Sequence, residues 1–380
     1  MCGGQVGACV WRVFETRQTH RGDTPRLRCG GATRPGSEVG RCELGRFRAA
    51  GRFAARRIPR SALKAYNRRL EGVSPVTRCL FVSDLHGRAD RYEKLFRAIE
   101  SEGPEAVFMG GDLLPSGLLA MHGPEAGAPG APGKPGAPGK PGAPGEAGFV
   151  HGFLEGGFAR LRRRMGRRYP RVFLILGNDD GKVEEGAFLE LAEEGLWVYG
   201  HNRRISFAGH DIYGYSYVPP TPFTLKDWER YDVSRYVDPG CVSPEEGWRS
   251  VPAVPREVRH ATIREDLRAL VGEAEVDRAV FLFHTPPYQT TLDRAALDGR
   301  TVDHVPVDVH VGSVAVRRFI ESCQPLLTLH GHIHESARLT GAWRDRIGRT
   351  HMFTGAHDGP ELALVRFDLE DLDAATRHLL

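Results

Sequence analysis

Cys79-Leu-Phe-Val-Ser-Asp84-Leu-His86 is an apolar run that stops on a carboxylate and, two residues later, an imidazole. Four other stretches repeat the design: Ala106-Val-Phe-Met-Gly-Gly-Asp112, Val172-Phe-Leu-Ile-Leu-Gly-Asn178-Asp179-Asp180, Ala279-Val-Phe-Leu-Phe-His284, and Leu326-Leu-Thr-Leu-His330-Gly331-His332-Ile-His334. Short β-rich apolar runs separated by helical patterns read as the strands of a mixed α/β protein. Every candidate ligand then falls at the carboxyl end of a strand, where open α/β sheets place their sites. In an extended chain residues i and i+2 face the same side, so Asp84 with His86, and His332 with His334, are expected to share one pocket.

The donors are carboxylates, four imidazoles and one amide, with no thiolate. That set suits a pair of divalent ions, Mn, Fe or Zn, and argues against a closed structural zinc site. Two such ions about 3.5–4 Å apart clamp the attacking and leaving oxygens of an in-line displacement and make a bridging hydroxide available at neutral pH. Phosphoester hydrolysis is the chemistry they serve best. A lone Asp-x-His, or one histidine after a strand, is ordinarily a capping or core residue; five such segments in one chain carry the reading. His330, a residue pair deeper than His332, reads as a satisfied buried histidine. Arg88 fits a phosphate contact and a solvent-facing helix start equally well.

In this order, Asp-x-His, Gly-Asp, Gly-Asn-x-Asp, a lone His and Gly-His-x-His resemble the calcineurin-like metallophosphoesterase superfamily, over about residues 78–368. The resemblance implies a four-layer αββα sandwich, two mixed sheets flanked by helices. It also implies that Asp84, His86 and His334 hold one metal, that Asn178, His284 and His332 hold the other, and that Asp112 bridges them. Val311-Gly-Ser-Val-Ala-Val-Arg-Arg-Phe-Ile-Glu and Asp345-Arg-Ile-Gly-Arg-Thr350 are similar to a prokaryotic branch of that superfamily.

One position departs from the commonest family pattern. Most members read Gly-Asn-His-Asp or Gly-Asn-His-Glu, whereas this chain reads Gly-Asn178-Asp179-Asp180. The family histidine contacts the phosphate and protonates the leaving oxygen. Asp179 takes its place as the catalytic candidate, yet two nearby dications favour its ionised form, which repels phosphate. The repulsion is stronger for a monoester dianion than for a diester monoanion, so phosphodiesters or esters with good leaving groups are the expected substrates. The alternatives are a protein or nucleotide phosphomonoesterase and a non-catalytic scaffold of the same fold. Asp179 also reads as a loop-turning residue that points away, and His304, His310 and His357 as replacement proton donors; the sequence does not choose among them.

Residues 1–75 carry fifteen Arg and one Lys against five acids, a local +11 in a chain of net +4, which leaves −7 for the rest. This stretch lacks apolar periodicity and holds Cys2, Cys9, Cys29 and Cys42 at spacings that match no zinc pattern, so it reads as a disordered extension or a mis-called start. Only six of the 52 basic residues are Lys, so the basic excess reflects coding bias more than nucleic-acid binding. Cys79, Cys241 and Cys323 are scattered, as expected of reduced thiols in the cytoplasm. No apolar run is long enough for a membrane span. Seven Gly-X-Y triplets at 127–147 form a collagen-like insert in a surface loop. One catalytic domain over 76–370, with a helix expected over 258–271 and closing strands near 337–341, 349–354 and 361–368, and a tail at 371–380 complete the expected organisation. Loops at 219–257 and 286–311 are expected to frame the pocket and set substrate choice.

Overall fold

The structure, a computed structural model, describes residues 77–116 and 148–380. The expected extension at 1–75 and the Gly-X-Y insert therefore lie outside the described residues. In chain order the strands are β1 (Arg78–Val82), β2 (Ala106–Gly110), β3 (Arg171–Ile175), β4 (Val198–Tyr199), β5 (Arg203–Phe207), β6 (His210–Tyr215), β7 (Val280–Phe283), β8 (Thr301–Val302), β9 (Val305–Pro306), β10 (Leu327–His330), β11 (Arg344–Ile347), β12 (Thr350–Thr354), β13 (Ala363–Asp368) and β14 (Asp371–Leu379). The α-helices are α1 (Ala89–Glu102), α2 (Glu155–Met165), α3 (Glu185–Glu193), α4 (Pro255–His260), α5 (Ile263–Val271), α6 (Val314–Cys323) and α7 (Ser336–Thr340).

Two six-stranded mixed sheets result, ordered β14-β13-β1-β2-β3-β4 and β11-β12-β10-β7-β6-β5, with helices flanking them. Alternate residues explain the stacking. Cys79, Phe81, Ala106, Phe108, Phe173 and Ile175 from the first sheet share one buried cluster with Ile212, Val280, Leu282, Leu327, Leu329 and Phe353 from the second. Their neighbours in sequence, among them Leu80, Val107, Leu174 and Phe281, are buried as well. Strands covered on both faces read as continuous apolar runs, which is why no polar alternation marks them. Phe281 meets Phe319 of α6 at 4.8 Å between ring centres, and Phe96 of α1 meets Phe158 of α2 at 5.0 Å.

Three expectations are corrected. The strand expected near 337–341 is α7, closed by Gly341 in the left-handed region (φ 75), and the next strand is β11. The single helix expected over 258–271 is broken by extended Thr262, whose side chain caps α5 by accepting from Glu265 N. Residues 371–380 are no loose tail: β14 pairs antiparallel along β13, and Leu372 and Ala375 enter the inter-sheet core. The alternation there is weak because β14 is an edge strand with one wet face. Leu372→Ala is expected to destabilise the fold by about 2–3 kcal/mol, read from denaturant unfolding, since a buried leucine is lost where the edge cannot collapse. Among the described residues no helix is long and apolar enough to cross a membrane.

Candidate metal centre

The ligand motifs leave β1, β2 and β3 of one sheet and β7 and β10 of the other. Backbone bonds tie these loops together: Asp84 N–H donates to Gly111 O (3.0 Å), His86 N–H to Asp112 O (2.8 Å) and Gly331 N–H to His284 O (2.9 Å). Strand-like alternation does not aim the side chains, contrary to the sequence expectation. Asp84, His86, Asp112 and His332 have φ of 57, 47, 51 and 73°, all in the left-handed region. Each such non-glycine residue costs on the order of 1 kcal/mol or more and persists only where its surroundings over-determine it. The chain turns sharply at these ligands, and those turns bring the side chains together.

Two clusters form. The ligand atoms of Asp84, His86, Asp112 and His334 lie within 4.8 Å of one another, as do those of Asp112, His284 and His332. Asp112 belongs to both. Asn178 adjoins the second cluster, its Oδ1 3.0 Å from His284 Nε2, and His284 Nε2 is 3.2 Å from Asp112 Oδ2. In the first, His86 Nε2 is 3.1 Å from His334 Nε2, which lies 3.4 Å from Asp84 Oδ1. The glycines are demanded by this crowding. A Cβ on Gly177 would lie 2.3 Å from Asp112 Oδ1 and 2.6 Å from His284 Nε2, and one on Gly111 would lie 2.7 Å from His284 Nδ1. Asp180 staples the loops, accepting from the backbone N–H groups of Leu113, Leu114 and Gly177.

Asp84 tests whether a cation fits. Its Oδ1 accepts the N–H of His332 at 2.9 Å, while Oδ2 is buried without a hydrogen-bond partner. A buried carboxylate oxygen left bare is costly, and a divalent cation is the group that satisfies it. The donor chemistry agrees: Nδ1 of buried His284 points at Gly110 O (2.8 Å), leaving Nε2 for the site. Such bonds fix the tautomer of a ligating histidine.

Charge is balanced inside the cluster. Burial opposes the charged form of His284, but the Asp112 carboxylate raises it to about 9. Burial likewise opposes His86, and its bond to Asp179 with the charges of Asp112 and Asp84 raises it to about 9. Burial, then the His284 charge, lowers His332 to about 3. Asp84 falls to about 2 despite burial because His334 sits against it, and Asp112 falls further beside His284. The sign of the pH dependence follows. Histidines raised from 6.5 to about 9 stabilise the metal-free fold fully below 6.5 and lose that contribution as pH rises through 9. A cation must displace the same protons. Between pH 6.5 and 9 the metal-free protein is therefore expected to melt at progressively lower temperature while its affinity for Mn rises. Thermal melts in chelator and Mn titrations across that range check both slopes.

His330 is buried and satisfied, with Nδ1 2.9 Å from Thr285 O and Nε2 2.7 Å from Thr328 Oγ1. Arg88 is at the start of α1, 3.3 Å from Asp90. His310 contacts Asp293 (2.8 Å), His357 contacts Glu361 (3.0 Å), and His304 is exposed at the β8–β9 turn. Two residues escaped sequence reasoning. Buried Arg91 donates to Asp84 O (2.5 Å) and Gly359 O (2.6 Å), holding the first ligand loop from behind; the signal that could have found it was an arginine on the apolar stripe of α1 with Leu95 and Ala98. Ser116 donates to Asp179 Oδ2, and no motif marked it.

Comparison with known proteins gives the family. No curated protein matched the sequence. Among solved structures, TT1561 of Thermus thermophilus is 16% identical, over 80% of this chain and 99% of its own, with a TM-score of 0.42. A dimetal phosphatase from Danio rerio is 12% identical, over 77% and 92%, with a TM-score of 0.39. An archaeal phosphodiesterase is 9% identical, over 80% and 99%, with a TM-score of 0.33. The model of the calcineurin-like phosphoesterases matches residues 77–336, which span all five ligand motifs. The chain belongs to the calcineurin-like phosphoesterase family and is a metal-dependent phosphoester hydrolase.

Proposed function

We propose that this hydrolase uses a dinuclear centre and prefers phosphodiesters or otherwise activated phosphoesters. The observation that supports it best is the one carboxylate, Asp112, common to two clusters that together contain a bare buried oxygen on Asp84. Asp84, His86 and His334 would hold one divalent ion and Asn178, His284 and His332 the other, with Asp112 between them. The N and O donors suit Mn, Fe or Zn. When bound, such a pair supplies Lewis-acid charge to the phosphoryl oxygens and a hydroxide nucleophile near neutral pH.

The chain's own residues then set the preference. Asp179 is partly exposed at the rim with its Oδ2 3.2 Å from His86 Nδ1, so its negative charge would lie close to a phosphate bound at the first ion. Coulomb repulsion doubles from a diester monoanion to a monoester dianion, so the monoester is excluded more strongly. No imidazole occupies position 179 to protonate a poor leaving group. Substrate choice we assign to the segment after β6, which docks beside the ligand loop through Lys182 N–H to Asp227 (2.7 Å) and Val183 N–H to Ser250 (2.9 Å). Cys79 and Cys241 form no disulfide among the described residues, and we read them as reduced thiols of a cytoplasmic protein. With p-nitrophenol as the common leaving group and Mn present, kcat/KM for the diester is expected to exceed that for the monoester by about tenfold or more. The reverse order removes the proposed preference.

A further inference from the structure

Asp179 is turned toward a metal-site imidazole. Its Oδ2 lies 3.2 Å from His86 Nδ1 and accepts the Ser116 hydroxyl at 2.5 Å, while its backbone N–H donates to Asp112 Oδ1 at 2.9 Å. With the carboxylate on Nδ1, the other ring nitrogen of His86 faces the first cluster, 3.1 Å from His334 Nε2 and 3.9 Å from Asp112 Oδ2. We infer that Asp179 is a positioning residue: a Ser116–Asp179–His86 relay fixes the tautomer and ring orientation of one ligand of the first ion. This rests on the dinuclear reading above and deepens it.

The two sites show why His86 needs such a support. His284 is fully buried and its Nδ1 bonds the Gly110 carbonyl, so the fold itself holds the ring. His86 stands at the rim with 22% of its side chain exposed, and its Nδ1 acceptor is a side chain. An imidazole without a fixed acceptor on one nitrogen divides between tautomers and rotates, and both weaken the bond that the other nitrogen makes to a cation. Ser116 completes the arrangement. Its hydroxyl occupies the same Oδ2 that faces His86 and holds the carboxylate in place. His284 needs no comparable side chain, so loss of Asp179 has an asymmetric consequence: the first ion is weakened and the second is spared.

Calorimetric titration of Mn into the metal-free full-length protein tests this, with crystal structures of the metal-free forms beside it. Wild type is expected to take up two ions. In Asp179→Ala one of the two should bind about 10- to 100-fold more weakly, with the other unchanged. Asp179→Asn, which keeps an acceptor oxygen for Nδ1–H, should recover most of that loss. Ser116→Ala should lose about threefold to tenfold at the same ion. In metal-free Asp179→Ala crystals the His86 ring should rotate or occupy more than one conformer. Wild-type affinity at both sites in Asp179→Ala, or wild-type affinity in Ser116→Ala if the first variant does not fold, would overturn the relay. An unmoved His86 ring overturns it too, even in a protein that binds no Mn, whereas a wild type that takes up no Mn refutes the dinuclear reading itself.

Discussion

Asp112→Asn is expected to lower kcat/KM for a phosphodiester by about three to four orders of magnitude, some 4–5.5 kcal/mol of transition-state stabilisation. Asp112 is shared by the two clusters, so under the proposed dinuclear reading both ions would depend on it. An amide offers a single acceptor oxygen and no negative charge, and it cannot serve both sides. In place, it would also turn its NH2 either toward His284 Nε2, now 3.2 Å from Oδ2, or toward the Asp179 N–H that Oδ1 accepts at 2.9 Å. Steady-state rates with added Mn and elemental analysis check this together: metal content should fall below two per chain in step with activity. A variant with two bound ions and wild-type activity would show that Asp112 is a bystander.

The second large effect concerns Asp179→His at saturating Mn. Restoring an imidazole removes a negative charge from the rim and supplies a proton donor, and a positioned general acid is worth about 10²–10⁴-fold. Part of that is offset by the loss of the carboxylate on His86, so kcat/KM for the monoester is expected to rise by about 10- to 100-fold. The diester, which suffers less repulsion, should gain less, and the ratio between the two substrates should narrow. The measurement is the pair of rate constants with a common leaving group at several Mn concentrations. An unchanged ratio would count against both the charge argument and the absence of a proton donor.

Much of this molecule is legible in the chain itself. Runs such as Val172-Phe-Leu-Ile-Leu are buried on both faces, so they announce strands of a covered sheet without needing polar alternation. The spacing of Asp84, Asp112, Asn178, His284 and the Gly-His332-Ile-His334 turn places each donor just past a strand end. Where the sequence misleads, the failures share a cause. α7 and the break at Thr262 are short and decided by capping and by neighbouring loops rather than by periodicity. β14 hides its pattern because an edge strand buries few residues. Arg91 and Ser116 carry no motif, since what they do depends on which loop lies across from them.

Hydrophobic periodicity and residue chemistry are local properties of the chain, so they already tell which side chains are on hand and that they end strands. How they meet is settled by long-range packing: left-handed turns at Asp84, His86, Asp112 and His332 gather them, with Asp112 between two clusters and Asp179 directed at His86. Those outcomes hang on contacts between residues as far apart as Asp84 and His332. A backbone angle costing on the order of 1 kcal/mol or more is held in place by distant partners, and no local pattern records that.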